Sequence, residues 1–191
     1  MSEHREPTGR LIADSLKKLM LKTSFEKISI KMITDEAEIR RPTFYNYFQD
    51  KYDLLEWIVD EEVLRKSELL IKQGMTDEAI KMLFTCIASD AAFYRKAFEV
   101  TGQNGFEEIL VGRLQKLFVT AFGRRRPTGS EDLDILTVEN IALYYTLALV
   151  GSMKAWLFSG RRDSPDALTA AYSFLAERSL RSLSEPLRYT I

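Results

Sequence analysis

Apolar positions recur at helical spacing along almost the whole chain. Ile12, Leu16, Leu19 and Met20 form one stripe, Leu55, Ile58 and Val59 a second, and Leu168, Ala171, Leu175 and Leu183 a third. Steps of three and four residues of this kind mark amphipathic helices, and no segment shows the strict alternation of a half-buried strand. Turn-forming residues gather near Pro7 to Gly9, Gly74, Gly102 to Gly105, Gly123 to Gly129, Gly160 to Pro165 and Pro186, between the periodic stretches. The pattern predicts an all-α protein with helices over residues 8–23, 29–36, 41–47, 51–72, 76–88, 91–101, 104–122, 132–159 and 165–184.

The informative stretch is SIKMITDEAEIRRPTFYNYFQDKYDLL, from Ser29 to Leu55. Ser29 suits a helix N-cap, because its hydroxyl can accept from the unpaired amides of the first turn. Ile30, Ile33 and Ala37 then fall on one face that must bury, and Ile39 anchors the following turn. Pro42 fits the first turn of a new helix, where its missing N–H costs little. Phe44 and Phe48 lie four apart and point together into a small core with Leu16 and Ile33. The other surface of this helix offers Arg41, Thr43, Tyr45, Asn46 and Tyr47, groups able to meet base edges and phosphates in a major groove. Two short helices and a tight turn are the layout of a helix-turn-helix reader. Asp50 reads as the N-cap of the next, longer helix and places Lys51 in its first turn, where anions are attracted. Ser29, Arg40, Arg41, Thr43, Tyr45, Asn46, Tyr47 and Lys51 are therefore the candidate DNA-binding residues.

Residues 8 to 55 resemble the DNA-binding domain of the TetR/AcrR family of bacterial transcription regulators. The resemblance rests on Ile33 and Ala37 in the first reader helix, and on Thr43, Tyr45, Tyr47, Phe48, Lys51, Leu54 and Leu55 along the aromatic run and its sequel. The family commonly carries Ala-Gly before the hydrophobic turn residue and Ser after it, whereas this chain has Ala37-Glu38 and Arg40. An unusual backbone conformation is expected at Glu38, and the hydroxyl cap of the recognition helix is expected to be missing. The run RRPTFYNYFQDKYDLLEWI is similar to the branch of the family typified by activators of dihydroxyacetone kinase operons, where a partner protein rather than a small molecule can supply the signal.

The C-terminal half carries a second pattern. The helix near 132–159 is apolar round much of its circumference, with Leu136, Ile141, Leu147, Val150, Met153 and Leu157, and it also carries small residues. The last helix continues with Ala171, Phe174 and Leu175. Ala148, Gly151, Ser152, Ala155, Ala171, Phe174 and Leu175 are the candidate dimer interface, and the resemblance implies a four-helix contact between two copies. A dimer would set its reader helices roughly 34–36 Å apart, or a multiple of that, to fit a palindromic operator. The resemblance also places an inducer pocket between the two ends, with Trp57, Phe84, Phe93, Phe98, Phe118 and Tyr144 as candidate lining. Aromatic residues at helical spacing fit a filled core equally well. Few charges between Ile80 and Phe98 would suit an apolar or aromatic ligand.

Composition narrows the picture. The 191 residues carry 27 Lys+Arg against 28 Asp+Glu and are 46% hydrophobic, which excludes a disordered or collagen-like chain. Residues 1–51 hold ten basic and eight acidic groups, leaving 17 and 20 for the rest, so the asymmetry is small. Arg124, Arg125 and Arg126 read as a solvated loop. A single cysteine, Cys86, and a single histidine, His4, support neither an internal disulfide nor a Cys/His metal cluster. MSEHREPTGR contains no apolar stretch of a signal peptide, so a reducing, cytoplasmic setting is expected. The longest weakly polar run, thirteen residues between Asn140 and Lys154, is shorter than the ~20 that span a bilayer. No glycine-rich phosphate loop, G-x-S-x-G or H-E-x-x-H is present, and Glu61–Glu62 and Glu107–Glu108 diverge on their helices.

The chain is thus expected to be no enzyme and to need no cofactor. Its expected architecture is an N-terminal three-helix helix-turn-helix domain over residues 1–50 with a helical effector-binding and dimerisation domain over 51–191. The expected partners are a double-stranded DNA operator, a second copy, and a small-molecule or protein effector, with no membrane. An effector would act by favouring a conformation with the wrong reader spacing, and repression is what the resemblance implies.

Overall fold

The computed structural model describes residues 5–102, 105–123 and 133–178. His4, the Arg124–Arg126 cluster, Leu180 and Leu183 lie outside the described residues. Among the described residues all regular structure is helical.

Helix α1 (Arg5–Met20) buries the stripe Ile12, Ala13, Leu16 and Met20. A single turn of 3₁₀ helix at Phe25–Lys27 leads to α2 (Ile30–Glu36) and α3 (Arg41–Tyr45). Ile33, Phe44 and Phe48 close a small core with Leu16, as the spacing predicts. Next comes one continuous helical rod from Lys51 to Lys72, made of α4 (Lys51–Ile58), a π-helical turn (Val59–Leu64) and α5 (Arg65–Lys72). The helix predicted over 51–72 is there, but its middle is wound more widely than an α-helix, a feature that recurs at functional sites. Gly74, at φ 76°, ends it in a conformation open to glycine without strain.

The remaining helices are α6 (Thr76–Ser89), α7 (Ala91–Phe98), α8 (Phe106–Phe122), α9 (Val138–Phe158) and α10 (Pro165–Ala176). Helix α8 packs along α9, and α6 lies between α5 and α10. The centre is filled by an aromatic cluster: Phe93 on Tyr94 at 5.0 Å between ring centroids, Tyr94 on Phe106 at 5.8 Å, and Phe106 on Phe98 at 4.9 Å. Helix α9 starts at Val138 rather than near residue 132, because Leu133–Leu136 forms a turn and Thr137 caps the helix by accepting from the Asn140 amide. Serine 164 caps α10 in the same way, with Pro165 at its first position.

Helix α9 is longer than the weakly polar run read within it. The helix has 21 residues with a mean hydropathy of 1.4 over its apolar window, so by length and composition it could cross a membrane, which the thirteen-residue run did not suggest. The helix is longer than that run because it continues through Asn140 to Val138 at one end and through Lys154 to Phe158 at the other. One side buries Ala142, Leu149, Val150, Met153 and Leu157 in the core, and the other is an apolar stripe facing outward.

Candidate nucleic-acid interface

The reader is built from its caps. Ser29 accepts from the Met32 amide at 3.2 Å, which caps the start of α2. The turn between α2 and α3 is closed by a pair of bonds, Ile39 N–H to the Thr34 carbonyl at 3.0 Å and Glu38 N–H to the Asp35 carbonyl at 3.3 Å. This bond pattern ends a helix through a left-handed residue, usually glycine. Here that residue is Glu38, at φ 52°, the only positive-φ non-glycine among the described residues. The unusual conformation expected from the missing glycine is present. Because an L-residue in this region costs about 1–2 kcal/mol while glycine's extra freedom in the unfolded chain returns part of it, Glu38→Gly is expected to stabilise by ~0.5–1 kcal/mol. Thermal unfolding should show a midpoint raised by roughly 1–4 °C for a domain of this size; a lowered midpoint would mean that the Glu38 side chain contributes more than its backbone costs.

Arg40 stands at the N-cap of α3, and its side chain makes no capping bond, as the absent serine implies. Phe44 is fully buried and Phe48 nearly so, which turns Arg41, Tyr45 and Asn46 to solvent. Arg41 donates to the Tyr45 hydroxyl at 3.1 Å and holds its guanidinium 5.6 Å from the centre of that ring. The two side chains form one exposed unit, cationic at one end and planar at the other. Thr43 and Tyr47 are half-buried on the flanks, with Tyr47 tilted against Phe48 at 6.2 Å, and Arg40 is exposed at the helix start. The surface therefore offers charge, hydrogen-bonding groups and aromatic faces on one small helix, the chemistry that reads base edges and phosphates.

Lys51 has another task than the one its position suggests. Its ammonium donates to the carbonyls of Phe25, Glu26 and Ile28 at 2.7, 3.1 and 3.0 Å, and sits 4.6 Å from the Phe25 ring centre. All three donors are thus committed within the fold, and burial draws its pKa down. Lys51 braces the start of α4 against the turn that precedes α2, while Asp50 caps the same helix by accepting from the Tyr52 and Asp53 amides. Lys51→Met removes the side-chain donor shared by three carbonyls. The expected cost is ~2 kcal/mol, seen as a fall of roughly 4–8 °C in the unfolding midpoint, and an unchanged midpoint would show the brace to be dispensable.

The rod that leaves the reader is clipped to three other elements at its π turn. The Lys17 ammonium of α1 lies 2.9 Å from both Glu62 and Asp90. Burial pulls its pKa down, but the bonds to Asp90 and Glu62 outweigh this and the net shift is upward. The Cys86 thiol of α6 donates to the Glu62 carbonyl at 2.9 Å; burial raises its pKa, which makes it a packed, unreactive thiol. Arg113 of α8 pairs with Glu56 and with Asp60, the latter at 3.2 Å. Burial pushes Asp60 up, with Arg113 countering it.

The residues proposed to line a pocket are dispersed. Phe84, Phe93 and Phe98 are core, packed within the aromatic cluster or against it. Trp57 stands edge-on to Phe48 at 5.8 Å and lines a polar groove beside α1. Tyr144 is 70% exposed on the outer side of α9. Phe118 alone of the six lines the apolar cavity of about 460 Å³ between α6, α8, α9 and α10. The filled centre is the physical reason: Tyr94 and Phe106 occupy the space the others would have to leave open. By contrast Ala148, Gly151, Ser152, Ala155, Ala171, Phe174 and Leu175 are all exposed, on the outward faces of α9 and α10.

Residues 12–58 match the bacterial regulatory proteins of the tetR family, and residues 76–177 match a transcriptional regulator C-terminal region. The chain is 34% identical over 97 residues to the HTH-type dhaKLM operon transcriptional activator DhaS of Lactococcus lactis, a match that covers 49% of this chain and 50% of that relative. It therefore spans about half the length of the curated relative it matches. Among solved structures, the dihydroxyacetone kinase operon activator DhaS aligns over 89% of this chain and 92% of its own at 24% identity, with a TM-score of 0.59. A TetR-family transcriptional regulator from Syntrophomonas wolfei aligns over 97% and 99% at 16% identity, TM-score 0.69. The fatty acid degradation regulator FadR from Bacillus halodurans aligns over 92% and 97% at 19% identity, TM-score 0.62. At these identities the solved structures speak to the fold.

Proposed function

Since the chain belongs to the TetR family of bacterial regulatory proteins, and is a transcriptional regulator rather than an enzyme, we propose that it binds a palindromic operator as a homodimer in the cytoplasm. In this reading residues 1–50 are the reader and residues 51–191 the effector and dimerisation unit. Helix α3 enters the major groove with Arg41, Tyr45 and Asn46 toward the bases and Arg40, Thr43 and Tyr47 toward the backbone. The observation that carries it is the division of α3 into two faces: Phe44 and Phe48 hold it to the core, so Arg41, Tyr45 and Asn46 can only face outward. The small and apolar residues on the outer faces of α9 and α10 supply the contact between copies.

The direct test is fluorescence anisotropy with short duplexes tiled across the protein's own upstream region, at two salt concentrations. A tight, sequence-selective complex that weakens with salt supports the reading. Weak binding, equal for every duplex, counts against it. A second reading, activation under the control of a protein partner, is favoured by the relative from Lactococcus lactis being an operon transcriptional activator. A partner that co-purifies and raises operator affinity would favour this second reading over release by a small molecule.

A further inference from the structure

The aromatic cluster closes the centre of the C-terminal half, yet an apolar cavity of about 460 Å³ opens toward the far end, away from the reader. This volume lies within the roughly 300–1,000 Å³ of small-molecule pockets. One wall is aromatic: Phe118 stacks on Phe122 at 5.7 Å and 12°, and Phe122 meets Tyr145 edge-on at 5.9 Å. Ile80, Ile141 and Tyr172 complete the apolar lining. Tyr172 donates its hydroxyl proton to the Tyr145 carbonyl at 2.9 Å, and burial raises its pKa, so the ring is fixed and neutral.

The charged side chains that line this cavity are both carboxylates, Asp77 of α6 and Glu177 just beyond α10. Neither forms an ion pair with a lysine or arginine among the described residues. Asp77 accepts from the Ser173 hydroxyl at 2.9 Å, a bond that joins α6 to α10 and holds the carboxylate at the cavity. The Ser173 and Tyr172 protons are thereby committed, and an anionic headgroup would meet two like charges with few donors left to receive it. A cation would meet two carboxylates and aromatic faces, both of which attract it.

We propose that this cavity binds an organic cation with a flexible apolar body, of the alkylammonium class. Its role as effector site rests on the operator-binding reading above; its ligand chemistry does not. Helix α6 gives the route between them, because it lines the cavity with Asp77 and Ile80 and holds the π turn of the rod through Cys86. Helix α10 lines the cavity from the other side with Tyr172 and Ser173, while Phe174 and Leu175 on the same helix face outward.

The test uses the full chain and three probes of equal tail length below their micellar range: decyltrimethylammonium, decanoate and 1-decanol, followed by calorimetry. Decyltrimethylammonium is expected to bind at least about tenfold tighter than decanoate, a difference of ~1.4 kcal/mol. In the double variant Asp77→Asn/Glu177→Gln that preference is expected to fall below about threefold, with 1-decanol binding unchanged. Ala176→Trp, at an exposed position on the lining, is expected to abolish binding of the cation while leaving the unfolding midpoint in place. Decanoate binding as tightly as the cation overturns the proposal, as does cation binding that survives Ala176→Trp. Operator anisotropy then separates the two readings. A shift in operator affinity with decyltrimethylammonium in the wild type, absent in Ala176→Trp, supports the effector role, whereas cavity binding with no shift overturns that role alone. Failure of the ligand-free protein to bind any operator would count against the proposed function and not against the cavity's ligand.

Discussion

Gly151→Arg is expected to convert the proposed dimer to a monomer and to weaken operator binding by about a hundredfold or more, since two tethered readers gain that order of avidity over one. The prediction starts from a cost. Glycine inside a helix is ~1 kcal/mol less favourable than alanine, yet a Cβ at Gly151 would meet nothing within 4 Å. Nothing among the described residues requires the small residue. Around it, Tyr144, Leu147, Ala148, Ala155 and Phe158 are exposed along one side of α9, at the three-and-four spacing of a single stripe. Large residues mark the ends of the stripe and small ones its middle, with Gly151 midway between Tyr144 and Phe158. A two-fold axis passing near Gly151 would set α9 antiparallel to its copy, with backbones close at the small residues and Tyr144 near the partner's Phe158. The same exposed stripe accounts for the membrane-like hydropathy of α9 without a bilayer. Arginine at the axis would bring two cations together in an apolar contact, whereas Gly151→Ala should leave the dimer formed. Sedimentation velocity reads the state directly, and a Gly151→Arg protein that remains dimeric would place the interface elsewhere.

Much of this was legible in the sequence, and what was not has identifiable causes. The caps at Ser29 and Asp50, the shared face of Phe44 and Phe48, and the backbone demand at Glu38 depend on neighbours a few residues away, so local chemistry is enough to read them. The role of Lys51 is hidden in the sequence because the carbonyls it holds lie in a turn more than twenty residues earlier, and a basic residue in the first turn of a helix looks the same whether it meets a phosphate or a carbonyl. The π turn left no mark either. Val59 and Val63 are four apart and Val59 and Leu64 five apart, a spacing that serves both windings. Phe84, Phe93 and Phe98 carry the same helical period whether they surround a cavity or fill it, and the outcome is decided by Phe106, which reaches Tyr94 and Phe98 from the next helix, α8. The apolar cavity is lined in part by Asp77, Tyr172 and Ser173, on helices nearly a hundred residues apart in the chain. No window along the sequence brings them together.

At the reader, Arg41→Ala and Tyr45→Ala are each expected to weaken specific operator binding by tenfold to about a hundredfold, the ~1–3 kcal/mol carried by a good base contact. The dimer and its helix content should be unchanged, because both side chains are exposed and Phe44 and Phe48 keep α3 in place. The bond from Arg41 to the Tyr45 hydroxyl makes the two effects dependent on one another. If Tyr45 aims the guanidinium at a base edge, the double variant should lose much less than the product of the single losses, and Tyr45→Phe, which keeps the ring and removes the acceptor, should show part of the loss seen for Tyr45→Ala. Salt dependence then assigns the target of Arg41. A guanidinium on a phosphate contributes about one unit to the slope of log affinity against log salt, and Arg41→Ala would reduce that slope and weaken all duplexes alike. On a guanine edge it would leave the slope and the non-specific affinity in place and relax selectivity at one base pair. Retained affinity in both single variants would remove α3 from the interface, since no other residues of that short helix offer the same exposed combination of charge and ring.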